Sequence, residues 1–246
     1  MDSGSSNTKL FWILSLAIVI AGCLIAGALV YFKTPSSNTT ATSSLSAAAA
    51  AGASIQSLPP VTSADHILGS INAPVMVVEY GDTNCPYCQQ FQQTMQKIMA
   101  QYGPQGTNQV AWVYRHFAFH PNSPKEAQAT ECAAELGGNN AFWKYLDLLY
   151  SKKDFTQVPY QGIDPGQLPV LAAQIGLNQQ DFTTCLESNK YATKVTQEYN
   201  DAIAAGAKGA PFTVLVTATA KVPITTGAVP YANLQAAIET LLNPKN

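Results

Sequence analysis

Two cysteines three residues apart, Cys85-Pro86-Tyr87-Cys88, sit where the pattern of the chain changes from strand to helix. Just before them, Val75-Met76-Val77-Val78-Glu79-Tyr80 is a nearly continuous apolar run, the mark of a buried strand. Gly81-Asp82-Thr83-Asn84 comes next, a turn cluster whose side chains also suit helix capping. From Cys85 onward, Phe91, Met95, Ile98, Met99 and Tyr102 recur at three- and four-residue steps, and Gly103-Pro104 stops the helix. Val110 to His116 alternates apolar and polar residues and reads as a second strand. The order strand, helix, strand is a βαβ unit, whose parallel strands join right-handedly. The cysteine pair is thereby fixed at the first turn of the crossover helix.

The rest of the chain completes an α/β domain. Helices are expected at Ser123–Leu136, Ala141–Tyr150, Pro165–Ile175, Gln179–Glu187 and Tyr191–Ala205, divided by Gly, Asn and Pro breaks. Phe212–Thr217 and Lys221–Thr225 read as two close strands, and Tyr231–Leu242 as an amphipathic closing helix. The architecture is βαβ, a helical insert over about 123–206, then ββα.

The first sixty residues are of another kind. Leu10 to Phe32 is a run of 23 residues without a charge. As a helix it would reach about 34 Å, enough for a ~30 Å hydrocarbon core. Lys9 and Lys33 flank it almost symmetrically, so charge barely orients it. Ile20-Ala21-Gly22-Cys23 resembles a lipobox. The apolar run nevertheless continues past Cys23, and it exceeds the 7–15 residues of a cleaved signal. Span length favours an uncleaved signal anchor over residues 1–33, with residues 10–32 in the membrane. Anchor, lipoprotein and cleaved signal alike would export the remainder of the chain. Residues 34–64 hold no charge before Asp65 and are dominated by Ser, Thr, Ala and Pro, which reads as a flexible tether. The globular domain is then 65–246, long enough for a full core. With 13 Lys+Arg against 15 Asp+Glu, the formal net charge of −2 excludes a protein built for electrostatic binding to nucleic acid.

The C-x-x-C spacing by itself admits a zinc half-site or a structural pair. Zinc needs four ligands. The remaining cysteines are single, and His116 and His120 read as strand-end and turn residues, so no metal is expected. Placement favours redox chemistry instead. At a helix start, Cys85 faces unpaired N–H groups and the positive end of the helix dipole, which stabilise a thiolate. Cys88, one turn on, can close a disulfide with it. Pro86 suits the first helical position. A reactive thiolate beside a resolving thiol is the equipment of dithiol–disulfide exchange.

Across residues 65–246 the chain resembles the DsbA/DsbG-like thiol:disulfide oxidoreductases of the thioredoxin superfamily. The resemblance is carried by Ala73-Pro74-Val75, by Glu79-Tyr80-Gly81-Asp82 leading into the cysteine motif, and by His120-Pro121-Asn122-Ser123. Cys132-Ala133, Phe142-Trp143, Gly209-Ala210-Pro211-Phe212, Gly227, Pro230 and Tyr231 continue it. It implies a thioredoxin fold with a helical insert. It also implies Cys85 as nucleophile, Cys88 as resolving thiol, and Pro211 as a cis-proline beside the pair. The loop at Ala210 and Pro211, with Pro86 and Tyr87, would contact an extended substrate. Glu79 would move a proton to or from Cys88; the alternative is a strand-end carboxylate on a solvated face. Tyr87 stands where strong oxidases of the family often carry His, and Ala210 where Thr or Val is usual. Both departures imply a milder potential or an open direction of catalysis.

Together these features point to an extracytoplasmic thiol:disulfide oxidoreductase, membrane-anchored on the periplasmic or outer-surface side, that introduces disulfides into exported polypeptides. It requires no bound cofactor. Reoxidation would fall to a quinone-linked membrane partner of the DsbB or vitamin K epoxide reductase type, as the resemblance implies. A disulfide isomerase or reductase is the alternative, and a non-catalytic chaperone or binding module the further one. The two leftover cysteines, Cys132 and Cys185, are expected to form a structural disulfide within the insert. Export to an oxidising compartment, amphipathic helices able to turn both toward one core, and the family's second pair all favour it over two buried thiols.

Overall fold

The computed structural model describes residues 54–156, 160–224 and 227–244. The expected membrane span 10–32, Cys23 and the first part of the tether lie outside the described residues. Among the described residues, no helix is long and apolar enough to cross a membrane.

Five strands form one sheet in the order β1-β3-β2-β4-β5, comprising β1 (His66–Leu68), β2 (Val75–Gly81), β3 (Val110–His116), β4 (Phe212–Val216) and β5 (Lys221–Ile224). β2 and β3 are parallel, joined through α1 (Pro86–Tyr102); every other neighbouring pair is antiparallel. This is the thioredoxin fold. The sequence pattern anticipates β2, α1, β3, β4 and the closing helix α6 (Tyr231–Leu242) closely. It misses β1, whose three residues are too few to show a period. β3 also differs from its expected alternation, for all seven of its residues are buried. Its polar members, Arg115 and His116, are covered because other elements supply their partners.

The insert contains α2 (Ser123–Ser151), a 3₁₀ turn at Pro165–Gln167, α3 (Leu168–Gln174), α4 (Gln179–Glu187) and α5 (Ala192–Ala204). α2 merges the two helices expected on either side of Gly137-Gly138 into one kinked element. Gly138 has φ 74° and ψ −175°, so the helix breaks there. A small second core of Tyr145, Leu149, Leu168, Phe182 and Leu186 fills the insert. Cys132 and Cys185 lie in that core, bonded to one another with S–S 2.03 Å.

The tether reading fails at its carboxyl end. Ile55 and Leu58 are buried in the main core rather than solvated. Arg115 holds the next residues, donating to the carbonyls of Pro59 (3.1 Å) and Pro60 (3.0 Å) and to both carboxylate oxygens of Asp65. Composition misleads here because two large apolar side chains and two acceptor carbonyls suffice to dock a segment that is otherwise small and polar.

Candidate active site

β2 delivers the chain to Gly81, and the loop Asp82–Asn84 turns it into α1. Gly81 is required by close approach: a Cβ there would lie 2.6 Å from Cε2 of Tyr114. The turn residues do not cap the helix as their types suggest. Asp82 instead accepts the Asn84 N–H at 2.7 Å, and the N-cap position falls to Cys85, with φ −106° and ψ 123°. Pro86 occupies the first turn, where its missing N–H costs nothing.

The two sulfurs have opposite settings. Cys85 is 4% exposed and Cys88 fully buried, so only Cys85 lies within a partner's reach. The Cys88 thiol is the largest influence on Cys85, donating to its sulfur and favouring the thiolate. Burial works against this, and the Cys88 and Tyr87 amides reinforce it. Neither amide closes a capping hydrogen bond of standard geometry. The net effect lowers Cys85 to about 7. Burial and the neighbouring Cys85 push Cys88 well above its ordinary value. Asp82 N–H faces the Cys88 sulfur at 3.4 Å.

Glu79 lies on β2, between Tyr114 of β3 and Thr213 of β4. It is fully buried, not on a solvated strand end. Burial raises its carboxyl to about 8, against the opposing hydrogen bond from Trp112 and with help from the charge of Cys85. The Ala210–Pro211 peptide bond is cis. The Ala210 carbonyl accepts from the Cys85 thiol at 3.4 Å, which brings this loop against the pair although 125 residues separate them. Tyr87 stands outward, 60% exposed. The structure thus brings together Cys85, Cys88, Glu79, Pro86, Ala210 and Pro211, and leaves the Cys132–Cys185 bond apart in the insert.

Several residues of the site were not singled out from sequence. Tyr150 OH donates to the Asp82 carbonyl at 3.3 Å and lies 3.4 Å from Tyr114 OH. Thr83 Oγ1 donates to Glu126 at 2.5 Å, and Glu126 also pairs with Lys153 and accepts the Ile163 N–H at 2.7 Å. Ser123 Oγ donates to Asp82 at 2.5 Å. The first turn of α2 is thereby bonded twice to the loop that presents Cys85. His120, expected to organise a turn, does so by binding Asp82 at 3.0 Å.

Comparison with known proteins places the fold. The profile of a family described as Thioredoxin matches residues 61–240. The fold is similar to that of oxidised BdbD from Bacillus subtilis, with TM-score 0.65 and 24% identity, covering 75% of this chain and 96% of that one. It is similar as well to alpha-DsbA1 from Wolbachia pipientis, with TM-score 0.63 and 21% identity, covering 76% and 95%. At these identities the likeness is one of fold. A stretch of 150 residues is 32% identical to Na(+)/H(+) antiporter NhaA 3 of Salinispora tropica, covering 60% of this chain and 21% of that protein. The match therefore spans about a fifth of the curated relatives' length, and their names describe proteins much larger than the shared part.

Proposed function

The chain belongs to the thioredoxin family, and on that footing we propose that it is an extracytoplasmic thiol:disulfide oxidoreductase that oxidises exported polypeptides through Cys85 and Cys88. The observation that carries this reading is the opposed setting of the two thiols, one lowered to about 7 at the rim and one raised and buried.

In the oxidised protein a substrate thiolate attacks the Cys85 sulfur, the only one of the pair with any exposure. The Cys85–Cys88 bond breaks as the mixed disulfide forms, and Cys88 leaves. Its sulfur cannot hold a charge in a buried site, so it takes a proton, for which the protonated Glu79 carboxyl is the nearby source. A second substrate thiolate then attacks the substrate's own sulfur, and Cys85 departs as a thiolate. Two electrons have passed from substrate to protein, and the substrate holds a new disulfide. A low leaving-group pKa at Cys85 favours this direction. The cis-proline loop lies against Cys85 through the Ala210 carbonyl, and it is assigned as the place where an extended chain pairs.

Reoxidation is assigned to a quinone-linked membrane partner of the DsbB or vitamin K epoxide reductase type. The apolar run 10–32 is assigned as a single-pass anchor that keeps the domain near that partner. The disulfide in the insert supports an oxidising compartment. Trapping the redox state of Cys85 and Cys88 in cells tests the direction. A mostly oxidised pair supports oxidation of substrates, whereas a pair kept reduced would make the protein a reductase or isomerase. Loss of both thiols without effect would leave only a binding module.

A further inference from the structure

The Asp82 carboxylate is fully buried and accepts five hydrogen bonds. Its Oδ1 receives the Asn84 N–H at 2.7 Å and the Ser123 hydroxyl at 2.5 Å. Its Oδ2 receives the Phe119 N–H at 2.8 Å, the His120 N–H at 3.1 Å and the His120 Nδ1–H at 3.0 Å. Burial alone would raise this carboxyl, yet the donors, His120 first, hold it below its ordinary value. A negative charge is therefore fixed in the loop that carries the nucleophile. Its backbone is bonded into the motif, since the Asp82 carbonyl accepts the Cys85 N–H at 3.1 Å. That charge opposes a thiolate on Cys85. The motif supplies no cation of its own, for Pro86, Tyr87 and Gln89 are neutral. Among the five donors to Asp82, only the imidazole can carry a formal charge. Lys153, another cation near this loop, is engaged by Glu126. The His120 side chain is 26% exposed, so it exchanges protons with solvent.

We propose that His120 is a positioning residue for the exchange chemistry: its protonated ring neutralises Asp82 and releases the Cys85 thiolate from the opposing charge. The inference rests on the dithiol reading above and extends it to the turn between β3 and α2. The groups facing the ring are Asp82 and Cys85, which favour its charged form, and Lys153, which opposes it. The Phe119 ring stacks on it at 4.5 Å between centroids. Linkage makes the effect reciprocal. If the imidazolium favours the thiolate, the thiolate favours the imidazolium by the same factor. The His120 ring must then titrate at higher pH in the reduced chain than in the oxidised one, where no thiolate exists.

The chain has three histidines, so the His120 ring resonances of the full-length protein can be followed by NMR against pH in both redox states. Alkylation of Cys85 against pH in the parent and in His120→Asn is the second measurement. Asparagine can still donate an amide hydrogen to Asp82 while carrying no charge. The expected results are a higher His120 midpoint in the reduced chain and, in His120→Asn, alkylation slowed about threefold or more below neutral pH. Equal His120 midpoints in the two redox states would overturn the proposal, and that measurement needs no variant to fold. A parent chain that fails to oxidise a reduced test peptide would instead overturn the exchange function, leaving the titration to judge His120 by itself.

Discussion

The indole N–H of Trp112 donates to Glu79 Oε2 at 2.9 Å, while Glu79 Oε1 is buried without a partner among the described residues. A carboxyl so placed is held in its neutral form at about pH 7, and the cost of that is measurable. Its folded value is raised above the unfolded one, so the associated stability is full below the unfolded carboxyl's range and is lost as pH rises through about 8. Glu79→Gln removes the titration. We expect this variant to gain ~2 kcal/mol relative to the parent at about pH 7 and to lose that advantage in acid. Exchange with glutathione should slow about tenfold or more, because Cys88 loses its proton source. Denaturant unfolding at two pH values and rapid-mixing kinetics check the two halves separately.

The opposed thiols make a second prediction. Thiolate absorbance of the reduced domain should titrate near the value of about 7 assigned to Cys85, and alkylation should label Cys85 in preference to Cys88. The sign for stability is the reverse of that for Glu79. Cys85 is lowered on folding, so the contribution is present above the unfolded thiol's range and lost as pH falls through about 7. Cys88→Ser should accumulate mixed disulfides with substrate and Cys85→Ser none. A single midpoint near ~8.5 would remove Cys85 from the role of nucleophile.

The Cys132–Cys185 bond joins residues 53 apart and lies within the small core of the insert. Replacing both by Ser should lower stability by ~2–4 kcal/mol. The exchange rate of the folded variant should stay within about twofold of the parent, since neither sulfur contacts the Cys85 loop. A thermal melt and a glutathione exchange assay on the same sample distinguish this from a second redox centre.

Gly81 meets the Tyr114 ring closely enough that Gly81→Ala forces the ring or the strand to move. Tyr114 is buried to 1% exposure, which leaves it little room. We expect a loss of ~1–3 kcal/mol in denaturant unfolding. Cys85 reactivity should change in the same variant, because β2 aims the loop that carries it.

Sequence pattern reveals the parts of this site that are local. The run Val75–Tyr80, the turn and the 3.6-residue periodicity after Cys85 are neighbours in the chain, so the position of the dithiol is evident from pattern alone. The burial of Glu79 is not, because it depends on Trp112, 33 residues away, and on a sheet register that no local period encodes. Asp82 looks like a capping residue for the same reason. Its partners Phe119, His120 and Ser123 arrive only when the turn after β3 and the start of α2 dock against the loop. Arg115 and His116 read as the polar end of a strand because a buried polar side chain looks like an exposed one until its partners are known. Those partners include Asp65 and the carbonyls of Pro59 and Pro60 for Arg115, and Glu131 for His116, whose Nε2 lies 3.0 Å from it.

The docking of residues 54–60 decides where this domain can be cut. A fragment begun at Asp65, the natural choice from composition, would empty the two sockets filled by Ile55 and Leu58. It would also strip the Arg115 guanidinium of two backbone acceptors while leaving the charge buried. Losing two such side chains from a core is worth ~3–6 kcal/mol, a large share of the ~5–15 kcal/mol that holds a typical domain folded. The newly bared apolar surface would also be a place for copies to stick together. Soluble material for redox measurements should therefore start at or before Ser54, whose hydroxyl donates to the Ala204 carbonyl at 3.0 Å and closes the segment onto the end of α5.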